Sequence, residues 1–213
     1  MAAWLEQLRL PERTREISFF LKAFVRQPFI SIRKLPNWDF ETSILLVAYC
    51  SIASAILTGL FMKGFLALIS SIILVPLMTL IGLGLATAFF HYAFIFLYDR
   101  SIDWKKVFQV LAVALIPFMI LRVLGHWLGP IVMIAFAITC VLLIVGFVDN
   151  FYLPKRGIIK LMGLIFSLFF CQWVYSTIKN TPKIADYRDR ISNDSLKVLD
   201  AEFSDELKKN SEE

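Results

Sequence analysis

The sequence predicts an all-α fold: a polytopic integral membrane helical bundle with five transmembrane helices, six being the runner-up count. Three observations predict it. The 213 residues are 58% hydrophobic and 18% charged, with a mean hydropathy of +0.70. A soluble domain is about half apolar and about a quarter charged. The charges also vanish in blocks: none falls in 42–62, in 64–98 or in 161–178, and 107–148 holds only Arg122. Finally, Lys and Arg gather in alternate polar segments, as they do where a chain threads a bilayer. Water-soluble, disordered and disulfide-stapled architectures are excluded.

Residues 1–42 form the first region. Ile17, Phe20, Leu21, Phe24 and Val25 recur at helical spacing, and Arg13, Glu16, Lys22 and Arg26 take the other side. An amphipathic helix over 14–26 is expected, with Pro28 ending it and a shorter stripe of Trp4, Leu5 and Leu8 before it. Such a helix beside a membrane span lies in the interface, either as a plain anchor or as a docking surface for a partner or for anionic lipid. Seven Lys/Arg and five Asp/Glu in 1–42 leave no uncharged h-region. No cleavable signal peptide is expected, and the first apolar run serves as a retained insertion signal.

The transmembrane region is 43–178. One crossing needs about 20 residues. Ser43–Met62 supplies one. Residues 64–98 would make a helix about 52 Å long, too short for two crossings with a turn. They are expected to form one long span, bent at Pro76, Gly82 or Gly84. Residues 107–148 hold two spans, broken by Gly125-His126-Trp127-Leu128-Gly129-Pro130. Ser101 or Asp103 is placed to cap the third span. Leu161–Ile178 is a short fifth span, with Trp173 and Tyr175 near the interface. With the N-terminus inside, the inner segments carry thirteen Lys/Arg and the outer loops two, Lys63 and Arg122. Six spans would divide them almost evenly, so the positive-inside rule selects five. Residues 179–213 form a charged tail, with Leu196, Leu199, Phe203 and Leu207 on one stripe of a short helix or a solvated segment.

Few polar groups lie at membrane depth. His91 and Arg122 are the candidate intramembrane polar pair. His91 suits an interhelical hydrogen bond or proton chemistry. Arg122, near the outer end of its span, snorkels to the interface or meets a substrate or headgroup. His126 reads as interfacial. Ser51, Ala55 and Gly59 recur every four residues, as do Gly82 and Ala86, and Gly84 and Ala88; small residues at that spacing let helices approach closely and point to packing or self-association. Cys50, Cys140 and Cys171 all sit in apolar runs without metal or redox spacing. No phosphate loop, nucleophile elbow, paired carboxylates or metal-ligand set is present, so no catalytic, cofactor-binding or metal residue is assigned and no enzyme is expected. No soluble basic face offers itself to nucleic acid.

The order of features resembles the Yip-domain (Ypt/Rab-interacting protein) membrane family, in its prokaryotic form. The likeness runs through RQPFISI (26–32), LVPLMTLIGLGLATAFFHYAFIFL (74–97), WKKVFQVLAVALIPFMIL (104–121), LGHWLGPI (124–131) and LLIVGFVDNFYLPKRGIIKLMGLI (142–165). It implies a five-span bundle with a cytosolic N-terminus, Pro117 central to one span and Gly146 near the end of the next. Eukaryotic members contact small GTPases. Here LPNWDF (35–40) stands nearest to their DLYGP-type motif, so that contact is not carried over. The resulting expectation is a non-enzymatic scaffold or adaptor in a bacterial cytoplasmic membrane, with lipid and other membrane proteins as partners. The alternative is a small transporter or channel with a polar site near His91 and Arg122.

Overall fold

A computed structural model describes residues 10–61, 65–126 and 129–180. In chain order they form α1 (Leu10–Arg26), α2 (Pro28–Arg33), α3 (Phe40–Phe61), α4 (Phe65–Tyr98), α5 (Trp104–Ala114), α6 (Ile116–Arg122), a 3-10 turn (Leu124–His126), α7 (Gly129–Phe151) and α8 (Lys155–Asn180). There is no strand among the described residues. Five segments are long and apolar enough to cross a membrane: Phe40–Gly59, Ile69–Tyr98, Trp104–Arg122, Gly129–Phe151 and Lys155–Lys179. The chain is an all-α, multi-pass membrane bundle. The Trp4–Leu8 stripe, Lys63, Trp127 and Leu128, the side chain of His126 and the tail helix fall outside the described residues.

The third span is the axis of the bundle. Every residue from Val107 to Ala114 is buried, which a helix achieves only when neighbours cover all its faces. Those neighbours are α2, α3, α4 and α7. Asp103 caps the helix as expected, its carboxylate accepting the Lys105 N–H at 3.1 Å. The span is divided at Leu115. Pro117 has no N–H for the Val113 carbonyl four residues back, and its ring crowds that carbonyl. Gly146 lets α7 close on this axis: a Cβ there would lie 2.7 Å from Val110 Cγ1 and 3.3 Å from Ile32.

The N-terminal helices depart from expectation. The stripe Ile17, Phe20 and Phe24 is buried in the protein core and does not face lipid. Phe20 meets Trp38 edge-on at 4.7 Å. Arg13, assigned to the polar side, turns back to pair with Glu41 and, at 3.8 Å, with Asp39. Val25 lies off the stripe and is exposed. α1 ends at Arg26, as expected ahead of Pro28, and Pro28 then opens α2, since a missing N–H costs nothing in a first turn. Ile32, on α2, is wholly buried between α5 and α7.

α4 runs unbroken for 34 residues through Pro76, Gly82 and Gly84. Its buried stripe is Leu83, Thr87, Phe90 and Phe94, confined to the C-terminal half. There Phe94 and Phe90 lie 4.9 and 5.0 Å from the ring of Phe147 on α7. Asp99, in the left-handed region at φ 50°, closes the helix. α8 begins at Lys155, six residues before the expected span, where the Pro154 carbonyl accepts from both the Gly157 and Ile158 N–H groups. The chain divides at Ser167 into two compact units. In the first, α8 buries Ile158 and Met162, and Phe166 stacks on Phe136 at 6.0 Å. In the second, Phe170 and Trp173 form a ring pair at 6.2 Å.

Candidate functional site

The bundle end that carries α1 and α2 is where polar chemistry collects. Asp149, near the end of α7, holds Arg33 at 2.9 Å. The next residue, Asn150, donates its Nδ2 to the Ile32 carbonyl at 2.9 Å and to the Gly146 carbonyl at 2.8 Å. Both its N–H bonds are thereby spent, leaving Oδ1 as an acceptor. Gln109, buried on α5, donates Nε2 to the Pro36 carbonyl at 2.6 Å. Gln109 fastens the linker between α2 and α3 to the axis helix, and Asn150 ties the end of α2 to α7. Beside them lies a cavity of about 140 Å³ lined by Leu35, Pro36, Asn37, Lys106, Gln109 and Asn150, among others. Lys106 is the one charged side chain of that lining.

α1 offers a second polar feature. At 100° per residue, Arg15, Lys22 and Arg26 fall on the side opposite the buried Ile17, Phe20 and Phe24. All three are exposed, and none forms an ion pair among the described residues. Phe19 stands among them, 78% exposed, with the exposed Glu12 and Glu16 beside it.

The expected site residues are not brought together. His91 lies seven residues before the end of α4, and Arg122 lies eighteen residues after the start of α5. Their spans meet at one bundle end through residues 99–103, so helix rise alone sets them roughly 16 Å apart in depth. Arg122 is exposed at the far end of its span, in the position that permits snorkelling. The interhelical hydrogen bond expected of His91 is not made by Nδ1, which is buried without a partner among the described residues. The ring instead meets Tyr92 edge-on at 5.6 Å.

The two small-residue faces differ. Ser51, Ala55 and Gly59 are buried, so that face packs inside the chain's own bundle. Gly82 and Gly84 are exposed, and a Cβ at either would meet nothing within 4 Å. The core stripe of α4 passes one position away, through Leu83 and Thr87, leaving Ala86 only half-buried. No group of three or more potential metal-ligating side chains occurs among the described residues.

Sequence reasoning missed Lys106, Gln109 and Asn150. A signal existed for two of them: Gln109 is an amide inside an otherwise apolar run, and Asn150 directly follows one. Their convergence with residues 35–37 is a long-range contact that periodicity does not carry. No family model, curated protein or solved structure matches the chain.

Proposed function

We propose that this chain is a non-enzymatic membrane scaffold or adaptor of the Yip type, and that α1 is its docking element. The observation that carries the reading is the double face of α1. One side is riveted to the bundle by Ile17, Phe20, Phe24 and the Arg13 ion pairs. The other presents Arg15, Lys22 and Arg26 around the exposed Phe19, with Glu12 and Glu16 at its edge. A helix held rigidly loses little entropy on binding, and cations around an aromatic suit an acidic partner with an apolar centre. The polar staples at this end serve the same purpose, since they hold the platform on which α1 sits.

The excess of Lys/Arg at this end supports a cytosolic orientation in a bacterial cytoplasmic membrane. A photo-crosslinking residue at Ser18, in the middle of the cationic face, tests the proposal. It should capture a protein through an acidic segment, and the triple variant Arg15→Glu, Lys22→Glu, Arg26→Glu should lose that product while still inserting in the membrane. Equal capture by the triple variant would refute the docking role.

A further inference from the structure

We propose that the cavity between residues 35–37, α5 and α7 binds a phosphate-bearing group, with Lys106 as its cation. This stands apart from the docking role of α1. Size sets the first limit. Water fills about 30 Å³ in the liquid, so 140 Å³ suits one compact polar group such as a single phosphate. Charge sets the second. The lining holds one lysine and no carboxylate, while Asp149 close by is engaged by Arg33 at 2.9 Å. The ligand is therefore an anion.

Hydrogen-bonding capacity sets the third limit. Lys106 offers donors, and Gln109 has one N–H beyond the bond to Pro36. Asn150, with both N–H bonds committed, offers only an acceptor, and the Asn37 amide carries both donors and an acceptor. The lining thus matches an anion that also carries a donor: a phosphate ester with a hydroxyl or ammonium beside it, or monoprotonated free phosphate. The cavity opens where α5 begins and α7 ends, at the level of the span termini, which is the depth of lipid headgroups. Gln109 and Asn150 hold the Pro36 and Ile32 carbonyls in place, so the walls are organised before a ligand arrives.

The test uses the full chain in mild detergent, titrated under native mass spectrometry with dioleoylphosphatidylglycerol, dioleoylphosphatidylcholine or inorganic phosphate. Phosphatidylglycerol should fill one saturable site. Lys106→Gln should weaken it roughly tenfold, the loss of one charge-assisted hydrogen bond, and Lys106→Arg should retain it. Lys105→Gln removes the same charge from the exposed neighbour outside the cavity and should leave binding unchanged. Phosphatidylcholine, with no donor for Asn150, should bind more weakly. Saturation by inorganic phosphate alone, with the same dependence on Lys106, would identify the free anion as the ligand of this site. Equal weakening by the Lys105 and Lys106 variants, phosphatidylcholine binding as tight as phosphatidylglycerol, or no saturable site for any probe would overturn the proposal.

Discussion

α4 and the α5–α6 span are both apolar enough to cross a membrane, yet they occupy opposite environments. The α5–α6 window is 56% buried in protein; the α4 window is 11% buried. The buried span is also the less hydropathic of the two. In water this order would be perverse. In a bilayer it follows directly, because lipid tails are as apolar as leucine and burial confers no hydrophobic gain. What selects the axis helix is shape and hydrogen bonding: Val107, Val110, Ala112, Val113 and Ala114 let neighbours close in, and Gln109 finds a carbonyl. What marks the peripheral helix is bulk, with Leu85 and Phe96 turned outward.

The largest expected effect separates the two faces of α4 itself. Phe94 is fully buried among Phe90, Phe147 and Phe151. Phe94→Ala should cost about 3–5 kcal/mol, the cost of an emptied aromatic site. Phe96, two residues on and 88% exposed, should cost under about 0.5 kcal/mol when truncated, in line with surface changes. Reversible unfolding in mixed micelles reads both. A comparable loss at Phe96 would mean that α4 is covered by something other than lipid.

The contrast explains what was legible beforehand. Charge-free runs revealed the number of spans and their ends to within about six residues, because the cost of a charge in hydrocarbon writes itself into every span. They carried no information on which span lies inside. The Ile17–Phe24 stripe was legible as amphipathic, yet its partner was misjudged: periodicity says that a face is apolar without saying whether lipid or protein covers it. Gly82 and Ala86 carried the same spacing as Ser51 and Ala55, yet only the second pair is fully buried, Gly82 being exposed and Ala86 half-buried against the core. The cavity escaped notice because Pro36, Gln109 and Asn150 are distant in sequence.

The next effect sharpens that distinction between glycines. Gly146→Ala forces a Cβ to within 2.7 Å of Val110 Cγ1, a buried branched side chain on the axis helix with no room to yield. Overpacking of this kind should cost about 1–3 kcal/mol. It should also disturb the cavity, since the Gly146 carbonyl holds Asn150. Gly82→Ala meets nothing within 4 Å and should be neutral or stabilising by up to about 1 kcal/mol through helix propensity. The same unfolding assay decides; a destabilising Gly82→Ala would reveal a close neighbour on the outer face of α4.

The smallest effect tests how the axis span is gripped. The Met119 carbonyl lies in the last turn of α6. Ser54 on α3 donates its Oγ to it at 2.9 Å. Ser54→Ala should cost about 0.6 kcal/mol, the average for a hydrogen bond between membrane helices. Thr79 on α4 spends its hydroxyl on Val75 of its own helix at 2.7 Å, so Thr79→Val should change stability by less than about 0.5 kcal/mol. The Met119 carbonyl can be followed directly by isotope-edited infrared spectroscopy, where losing the Ser54 donor should move its amide I band to higher frequency. An unshifted band in Ser54→Ala would show that another donor serves this carbonyl, and the axis span would then rely on shape and on the Gln109 bond to Pro36 for its place in the bundle.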